Sequence, residues 1–147
     1  MHLLLGGKDM NNEERLEVLN AILDELTEMC GESVLLVEGM KDKMAIVLLG
    51  VNADTRTVQS EGGPLKVAER LFNERRSAVI MTDWDPKGEQ IAEELEHALS
   101  SLCVKYDKTM RSRLRSMCGS EINDVESLPS FYSRLATESV RRKVGRK

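Results

Sequence analysis

Short, wholly apolar runs alternate with amphipathic helical patterns along most of this chain, and this alternation limits the folds that it can adopt. Residues 34–37 and 78–81 are rich in Val, Leu and Ile, which is typical of strands buried on both faces of a parallel sheet. Around these runs, apolar residues recur at spacings of three and four, the period of a helix with one buried face. This order predicts an α/β fold with a mainly parallel sheet and right-handed crossovers.

The bounds of the predicted elements follow from this periodicity and from residues that begin and end helices. Asn11 and Glu14 have the spacing of a capping box at the first helix, and Gly31 suits its end. Pro64 follows two glycines and opens the third helix. We predict strands over residues 33–37, 56–59, 78–81 and 104–106, and helices over residues 13–30, 40–49, 64–73, 86–100, 108–117 and 122–135, the last interrupted by Pro129.

These elements divide the 147 residues into a core and three flanking segments. Residues 1–32 are predicted to form a helical extension packed on the core, and residues 33–107 hold the strands of the core itself. Residues 108–138 are predicted to form a second helical extension, and residues 139–147 a mobile basic tail. A chain of this length suits one domain with a single core.

Composition and cysteine content exclude several classes of protein. No run approaches the about 20 apolar residues that a membrane-spanning helix needs. The first residues have neither the basic leader nor the long apolar core of a secretory signal. The three cysteines, Cys30, Cys103 and Cys118, contain no C-x-x-C pair. We therefore predict a cytoplasmic protein with reduced thiols, no membrane attachment and no zinc ribbon.

The net charge of −4 conceals an uneven distribution along the chain. Residues 1–99 carry 20 acidic and 10 basic side chains, whereas residues 100–147 carry 5 acidic and 11 basic ones. A basic C-terminal third on an acidic body is typical of a protein that binds a polyanion such as nucleic acid. The alternative is that the two regions are solvated faces of unequal sign.

Acidic side chains follow two of the predicted strands where each strand ends. Glu38 follows the first strand, and Asp83 and Asp85 follow the third. Because ligands of open α/β sheets bind outside the carboxyl ends of the strands, we expect these carboxylates to converge. Residues i and i+2 of an extended backbone point the same way, so Asp83 and Asp85 would face one site. A hard cation would relieve their repulsion, and Mg²⁺ keeps waters that a phosphate can displace.

The residues around these acids suit a phosphate group. Glu38 would either complete the metal coordination or act as general acid or base on the attacking or leaving oxygen. Gly39 and Gly88 would let a phosphate approach the backbone closely. Lys41 and Lys87 are near enough in sequence to neutralise its charge.

Each acidic residue also has a purely structural interpretation. Asp85 precedes Pro86 and suits the N-cap of a helix, while Glu38 could favour the dipole of the helix that follows it. Asp42 would be an acid of the first helical turn or the partner of a nearby lysine, and Glu61 a turn residue. The joint occurrence of the acids at strand ends favours a functional site over several separate structural roles.

Two of these segments resemble the motifs of the toprim family. Residues 34–42, VLLVEGMKD, are similar to the first motif, an apolar strand followed by E-G-x-x-D. Residues 82–89, TDWDPKGE, are similar to the second motif, D-x-D-x-x-G. The resemblance covers residues 33–107, and the short format is similar to small stand-alone archaeal toprim proteins. Toprim domains also form the catalytic core of bacterial primases and the nuclease that matures 5S ribosomal RNA.

The resemblance implies a fold, a cofactor and a set of site residues. The fold is a compact, Rossmann-like α/β domain with about four strands flanked by helices, and the chemistry is Mg²⁺-dependent making or breaking of phosphodiester bonds with one or two ions. Glu38 maps to the catalytic and first-metal position. Asp83 and Asp85 map to the aspartate pair that completes the catalytic centre as metal ligands.

Within this family the chain fits a nuclease better than the larger enzymes. A topoisomerase needs a tyrosine nucleophile and a strand-passage body, and Tyr132, beside Pro129 and Phe131, is more simply a packing residue. A bacterial primase needs a zinc module that three scattered cysteines cannot supply. We therefore predict a small Mg²⁺-dependent nuclease acting on structured RNA rather than DNA. The alternative is a nucleic-acid or nucleotide binding subunit of a larger complex, without turnover.

Basic residues of the C-terminal third are the predicted contacts to nucleic acid. Arg111 and Arg115 share one face of the predicted helix over residues 108–117. Arg141 and Arg142 belong to the predicted tail. All four are expected to bind the polyanion through contacts that salt weakens. The sequence leaves open whether the protein also binds other proteins or a second copy of itself.

Overall fold

Four parallel strands and six helices alternate along residues 10–145, which the computed structural model of the chain describes. The strands are β1 (Ser33–Val37), β2 (Thr55–Thr57), β3 (Ser77–Ile80) and β4 (Tyr106–Asp107). The helices are α1 (Asn12–Met29), α2 (Met40–Leu48), α3 (Pro64–Glu74), α4 (Pro86–Ser101), α5 (Thr109–Cys118) and α6 (Leu128–Val144). This order confirms the predicted α/β class and the predicted sheet of about four strands.

The strand order β2-β1-β3-β4 places the two most apolar strands at the centre of the sheet. Leu36 of β1 pairs with Arg56 of β2 on one side and with Ile80 of β3 on the other. All pairings are parallel, so the carboxyl ends of the strands lie along one edge. This register brings the residues that follow β1 and β3 side by side.

Both faces of the central strands are covered by helices. Successive residues of a strand point to opposite faces. Leu35 and Val37 of β1 therefore join the core beneath α1, α5 and α6, whereas Val34 and Leu36 join the core beneath α3 and α4. Burial on both sides explains why the two central strands read as continuous apolar runs.

The two helical extensions pack against each other on one side of the sheet. The Tyr132 hydroxyl of α6 donates to Asn20 Oδ1 of α1 at 2.6 Å. The predicted capping box of α1 is present, with the Glu14 N–H donating to Asn11 Oδ1 at 2.9 Å. Residues 1–9 of the predicted N-terminal extension lie outside the described residues.

The last helix differs from its predicted form. α6 begins at Leu128 and places Pro129 in its first turn, where a main-chain N–H has no helical acceptor to lose. The proline therefore starts the helix instead of interrupting it. α6 runs on to Val144 with Ser139 buried, so the predicted tail is helical up to that residue. Residues 146 and 147 lie outside the described residues.

The exposed sides of the helices are rich in charged residues. α1, at 18 residues, carries Glu and Asp on its outer side and buries Leu19, Ile22 and Leu26 against the core. Within residues 10–145, no helix combines the length and the apolar character needed to cross a membrane.

Candidate metal centre

Three buried carboxylates gather at the carboxyl edge of the sheet. Glu38 follows β1 directly, Asp83 lies just beyond β3, and Asp42 lies in the first turn of α2. They are 6%, 9% and 8% exposed, respectively. One carboxylate oxygen from each lies within 4.8 Å of the others. The structure thus brings together two of the predicted site residues, Glu38 and Asp83, with a third acid that the sequence placed only in a helical turn.

Parallel pairing explains how residues so distant in sequence meet. The Met81 N–H donates to the Leu36 carbonyl at 2.8 Å, so the chain continues alongside β1 for one residue after β3 ends. Asp42 reaches the same place by capping its own helix. Its Oδ2 accepts the Gly39 N–H at 3.1 Å. The cap turns the Asp42 carboxylate back over the start of α2 and toward the strand ends.

Burial makes negative charge costly at this position. It raises the pKa of the Glu38 carboxyl. A hydrogen bond with the Asp83 side chain lowers that pKa, and the neighbouring charges of Asp85 and Asp42 raise it. Burial also raises the pKa of Asp42 to about 6, with the charge of Asp83 adding to the effect. The pKa of Asp83 is raised mainly by burial, although the Val125 N–H favours its charged form. Three acids in one place therefore resist ionisation together.

The donor set fits a hard divalent cation. Glu38 Oε1 is buried and has no hydrogen-bond partner among residues 10–145. A buried carboxylate oxygen without a partner is costly unless a proton or a cation meets it. Carboxylate oxygens are the ligands that Mg²⁺ prefers in proteins. The residues that would hold the ion are therefore Glu38, Asp42 and Asp83.

Asp85 lies beside this centre and caps α4. Its Oδ1 accepts the Gly88 N–H at 2.7 Å, which is the structural role that its place before Pro86 allowed. Its charge still raises the pKa of both Glu38 and Asp83. The role of Asp85 as a metal ligand stays a prediction. The ligand atom would be its second carboxylate oxygen, which takes no part in the cap.

Gly88 is needed for contact between two parts of the backbone. A Cβ atom at this position would lie 1.9 Å from the Asp83 carbonyl oxygen, which is far inside van der Waals contact. The Thr82 hydroxyl also donates to the Gly88 carbonyl at 2.9 Å. Gly88 therefore allows α4 to pack on the loop that carries Asp83. The sequence predicted a different role for Gly88, the close approach of a phosphate to the backbone. A Cβ at Gly39 would meet only the side chain of Gln59, at 3.1 Å.

Arg111 differs most from its predicted position. It was expected on the surface in contact with nucleic acid, but it is 7% exposed. Its Nε donates to the Thr82 carbonyl at 2.8 Å, and its Nη2 donates to the Asp83 carbonyl at 2.6 Å and to Glu89 Oε1 at 2.9 Å. Arg115, one turn later, is exposed and pairs with the same Glu89 oxygen at 3.1 Å. The Arg111 guanidinium is therefore buried against the backbone that carries Asp83. Its N–H groups donate to main-chain carbonyl groups instead of to water.

The segment between α5 and α6 contributes contacts that sequence reasoning missed. The Val125 N–H donates to Asp83 Oδ1 at 2.9 Å. The indole N–H of Trp84 donates to the Ile122 carbonyl at 2.8 Å, and its main-chain N–H donates to the Asn123 carbonyl at 2.9 Å. Trp84 is consequently buried and offers no surface on which a base could stack. Main-chain donors leave no signature in side-chain patterns, so no motif could have located them.

The remaining predicted cations lie on the surface. Lys41 and Lys87 occupy the first turns of α2 and α4 and are exposed. The charge of Lys87 lowers the pKa of Glu38. Arg141 and Arg142 are exposed in the last turn of α6.

Comparison with known proteins finds relatives across most of the chain. A family model described as Toprim-like matches residues 35–123. A UPF0292 protein of Methanosarcina barkeri is 36% identical over 125 residues, which cover 83% of this chain and 85% of that protein. UPF0292 proteins of Thermococcus sibiricus and Pyrococcus horikoshii are 33% and 32% identical, covering 84% and 86% of this chain and 92% and 91% of their own lengths.

One solved structure shares the fold. It is a protein from Aquifex aeolicus with a TM-score of 0.64 and 24% sequence identity. The similarity covers 74% of this chain and 96% of that one. At this level of identity the likeness concerns the fold.

Proposed function

Since this chain belongs to the Toprim-like family, as its motifs predicted, we propose that it is a small Mg²⁺-dependent nuclease that cleaves structured RNA. The family connects the chain with metal-dependent processing of nucleic acid. One observation supports the proposal above all others. Glu38, Asp42 and Asp83 converge at the edge of the sheet, and a buried oxygen of Glu38 has no partner.

The acidic side chains have separate tasks in this proposal. Glu38 and Asp83 hold Mg²⁺, and Asp42 or the unengaged oxygen of Asp85 completes the set for one or two ions. A bound Mg²⁺ would withdraw charge from the phosphate oxygens and make a water molecule more acidic. Glu38 Oε1 is the atom that we assign to proton transfer with the attacking or leaving oxygen.

The start of two helices provides a place for the phosphate. α2 and α4 both begin at the metal centre, with Gly39 and Asp85 as their N-caps. The positive ends of the helix dipoles favour an anion at this position. Lys41 and Lys87, in the first turns of these helices, would add two full positive charges.

The far end of α6 supports a polymeric substrate. This helix begins three residues after Val125, which contacts Asp83, and its 17 residues span about 25 Å. Arg141 and Arg142 lie in its last turn. We take these arginines, which lie about 20 Å along the helix from its first residue, as contacts for a substrate longer than a mononucleotide. The choice of RNA rests on the resemblance to the nuclease that matures 5S ribosomal RNA.

Cleavage of folded RNA hairpins in Mg²⁺ tests the proposal. We expect Glu38→Gln to reduce the rate by about 10²- to 10⁴-fold, the usual contribution of general acid–base catalysis. Glu17→Gln, on the exposed side of α1, is the matched control and should retain the wild-type rate. Equal rates for wild type and Glu38→Gln would refute the mechanism. Preferential cleavage of a DNA hairpin of the same sequence would refute the RNA assignment. Mg²⁺-dependent binding of RNA without cleavage would favour the binding subunit.

A further inference from the structure

We infer that the C-terminal extension sets the geometry of the metal centre, with Arg111 and the main-chain N–H of Val125 as positioning groups for Asp83. The inference rests on the proposed function, because it concerns how the same centre binds its ion. The relevant segment is residues 81–85, which we call the Asp83 loop. Its main contacts outside the core come from α5 and from residues 122–125.

Arg111 fixes the backbone of the Asp83 loop at two consecutive carbonyl groups. Its guanidinium donates to the Thr82 oxygen at 2.8 Å and to the Asp83 oxygen at 2.6 Å. The planar, forked guanidinium can satisfy both acceptors at once, whereas an ammonium cannot reproduce that geometry. Because these two carbonyl groups belong to the two peptide planes that flank the Asp83 Cα, the bonds to both of them fix the direction of the Asp83 Cα–Cβ bond.

Arg111 is itself held by a further hydrogen bond from the same Nη2 atom that contacts Asp83. Glu89 of α4 accepts from its Nη2 at 2.9 Å. The backbone of Gly88 packs so closely on Asp83 that a Cβ atom does not fit between α4 and the loop. The guanidinium thus links α5, α4 and the Asp83 loop, and it leaves little freedom to any of them.

Val125 fixes the carboxylate of Asp83 directly. Its N–H donates to Oδ1 at 2.9 Å, so this oxygen is held by the C-terminal segment, and the Asp83 carboxylate lies beside those of Glu38 and Asp42. The Val125 side chain is fully buried in the core beneath α1, α5 and α6. Two hydrogen bonds from Trp84 secure the residues just before it.

The start of this segment is anchored to both helical extensions. Glu121 pairs with Arg15 of α1 at 2.9 Å and with Arg134 of α6 at 3.0 Å. The two guanidinium groups lie over the Phe131 ring, 5.0 and 5.3 Å from its centre. Residues 121–125 are therefore connected to both helical extensions, and the orientation of Asp83 depends on helices far from it in sequence.

Mg²⁺ affinity in the absence of nucleic acid tests this inference. We expect Arg111→Lys and Arg111→Met to weaken binding by about 10- to 100-fold in isothermal titration calorimetry, the usual effect of losing a group that orients a metal ligand. Arg113→Lys is the matched control, since Arg113 lies on another face of α5 and pairs with Glu25. It should bind Mg²⁺ as the wild type does.

A purely structural role for Arg111 gives a different result. The Arg111 variants would then lose thermal stability but bind Mg²⁺ with wild-type affinity at a temperature where they are fully folded, and that result would overturn the inference. If neither variant folds, Trp84→Phe, which removes the indole donor to Ile122 and makes a buried side chain smaller, decides the question by the same measurement at a temperature where it is folded. A wild-type protein that binds no Mg²⁺ would instead refute the proposed function.

Discussion

The carboxylate of Asp83 accepts a hydrogen bond of 2.9 Å from the main-chain N–H of Val125, 42 residues further along the chain. The region similar to the Toprim-like family ends at residue 123, two residues before this donor. One hydrogen bond that holds Asp83 therefore comes from just outside the matched region. The acids lie in residues 33–107, and part of what orients them comes from the residues that follow.

Asp42 is the acid whose role is most open to a direct test. We expect Asp42→Asn to weaken Mg²⁺ binding at least tenfold, because it removes one of three converging charges. The amide oxygen of asparagine can still accept the Gly39 N–H, so α2 should remain capped and the thermal midpoint should not fall. Titration calorimetry and thermal unfolding measure the two effects. Asp24→Asn, on the exposed side of α1, serves as the control. Unchanged affinity in Asp42→Asn would remove this residue from the ligand set.

The stability of the metal-free protein should fall as the pH rises from 5 to 8. The pKa of Asp42 is raised to about 6, and burial raises the pKa values of Glu38 and Asp83 as well. The folded state then binds more protons than the unfolded state above the ordinary carboxyl pKa, so stability is lost as the acids ionise. We expect the thermal midpoint in EDTA to fall by at least about 5 °C across this range.

Added Mg²⁺ should reverse that dependence. The ion binds the ionised carboxylates, so the stabilisation that it confers should grow between pH 5 and 8. The carboxyl groups whose pKa is lowered, Asp54 and Glu74, titrate below this range because they pair with Arg56. A midpoint that rises with pH in EDTA would contradict the assignment of the raised pKa values to the centre.

Much of the fold and part of the candidate site could be predicted, because the sequence around these residues allows only one interpretation. The two central strands could be predicted because burial on both faces requires continuous apolar runs, and Glu38 and Asp83 then follow from parallel pairing. Asp42 could not be singled out, since a first-turn acid is already explained by its helix. Arg111 was misplaced because arginine lies mostly on surfaces. Only the tertiary structure supplies the two carbonyl groups that make its burial favourable.

Gly88→Ala should be strongly destabilising. Its Cβ would lie 1.9 Å from the Asp83 carbonyl oxygen, so α4 and the loop would have to separate. Overpacking of this kind costs about 2–3 kcal/mol, which urea unfolding can measure. Gly145→Ala is the control, since its Cβ would lie 3.4 Å from its nearest neighbour, the Arg141 carbonyl oxygen, which is ordinary contact. Similar unfolding free energies for the two variants would show that the loop and α4 are not tightly packed.

The basic end of α6 should contribute to RNA affinity mainly through charge. We expect the double variant Arg141→Gln/Arg142→Gln to bind a folded RNA more weakly at low salt and to reduce the slope of log K against log salt by about 2, one for each lost phosphate contact. Mg²⁺ affinity should not change, because the last turn of α6 is about 20 Å from its start beside Val125. Arg75→Gln/Lys105→Gln is the matched control. Both of its residues are exposed at the amino edge of the sheet, the edge opposite the acidic centre. A control variant that lowers the slope by the same amount would show that RNA affinity depends only on the net charge of the protein. An unchanged slope in the α6 variant would exclude this end of the helix from the RNA-binding surface.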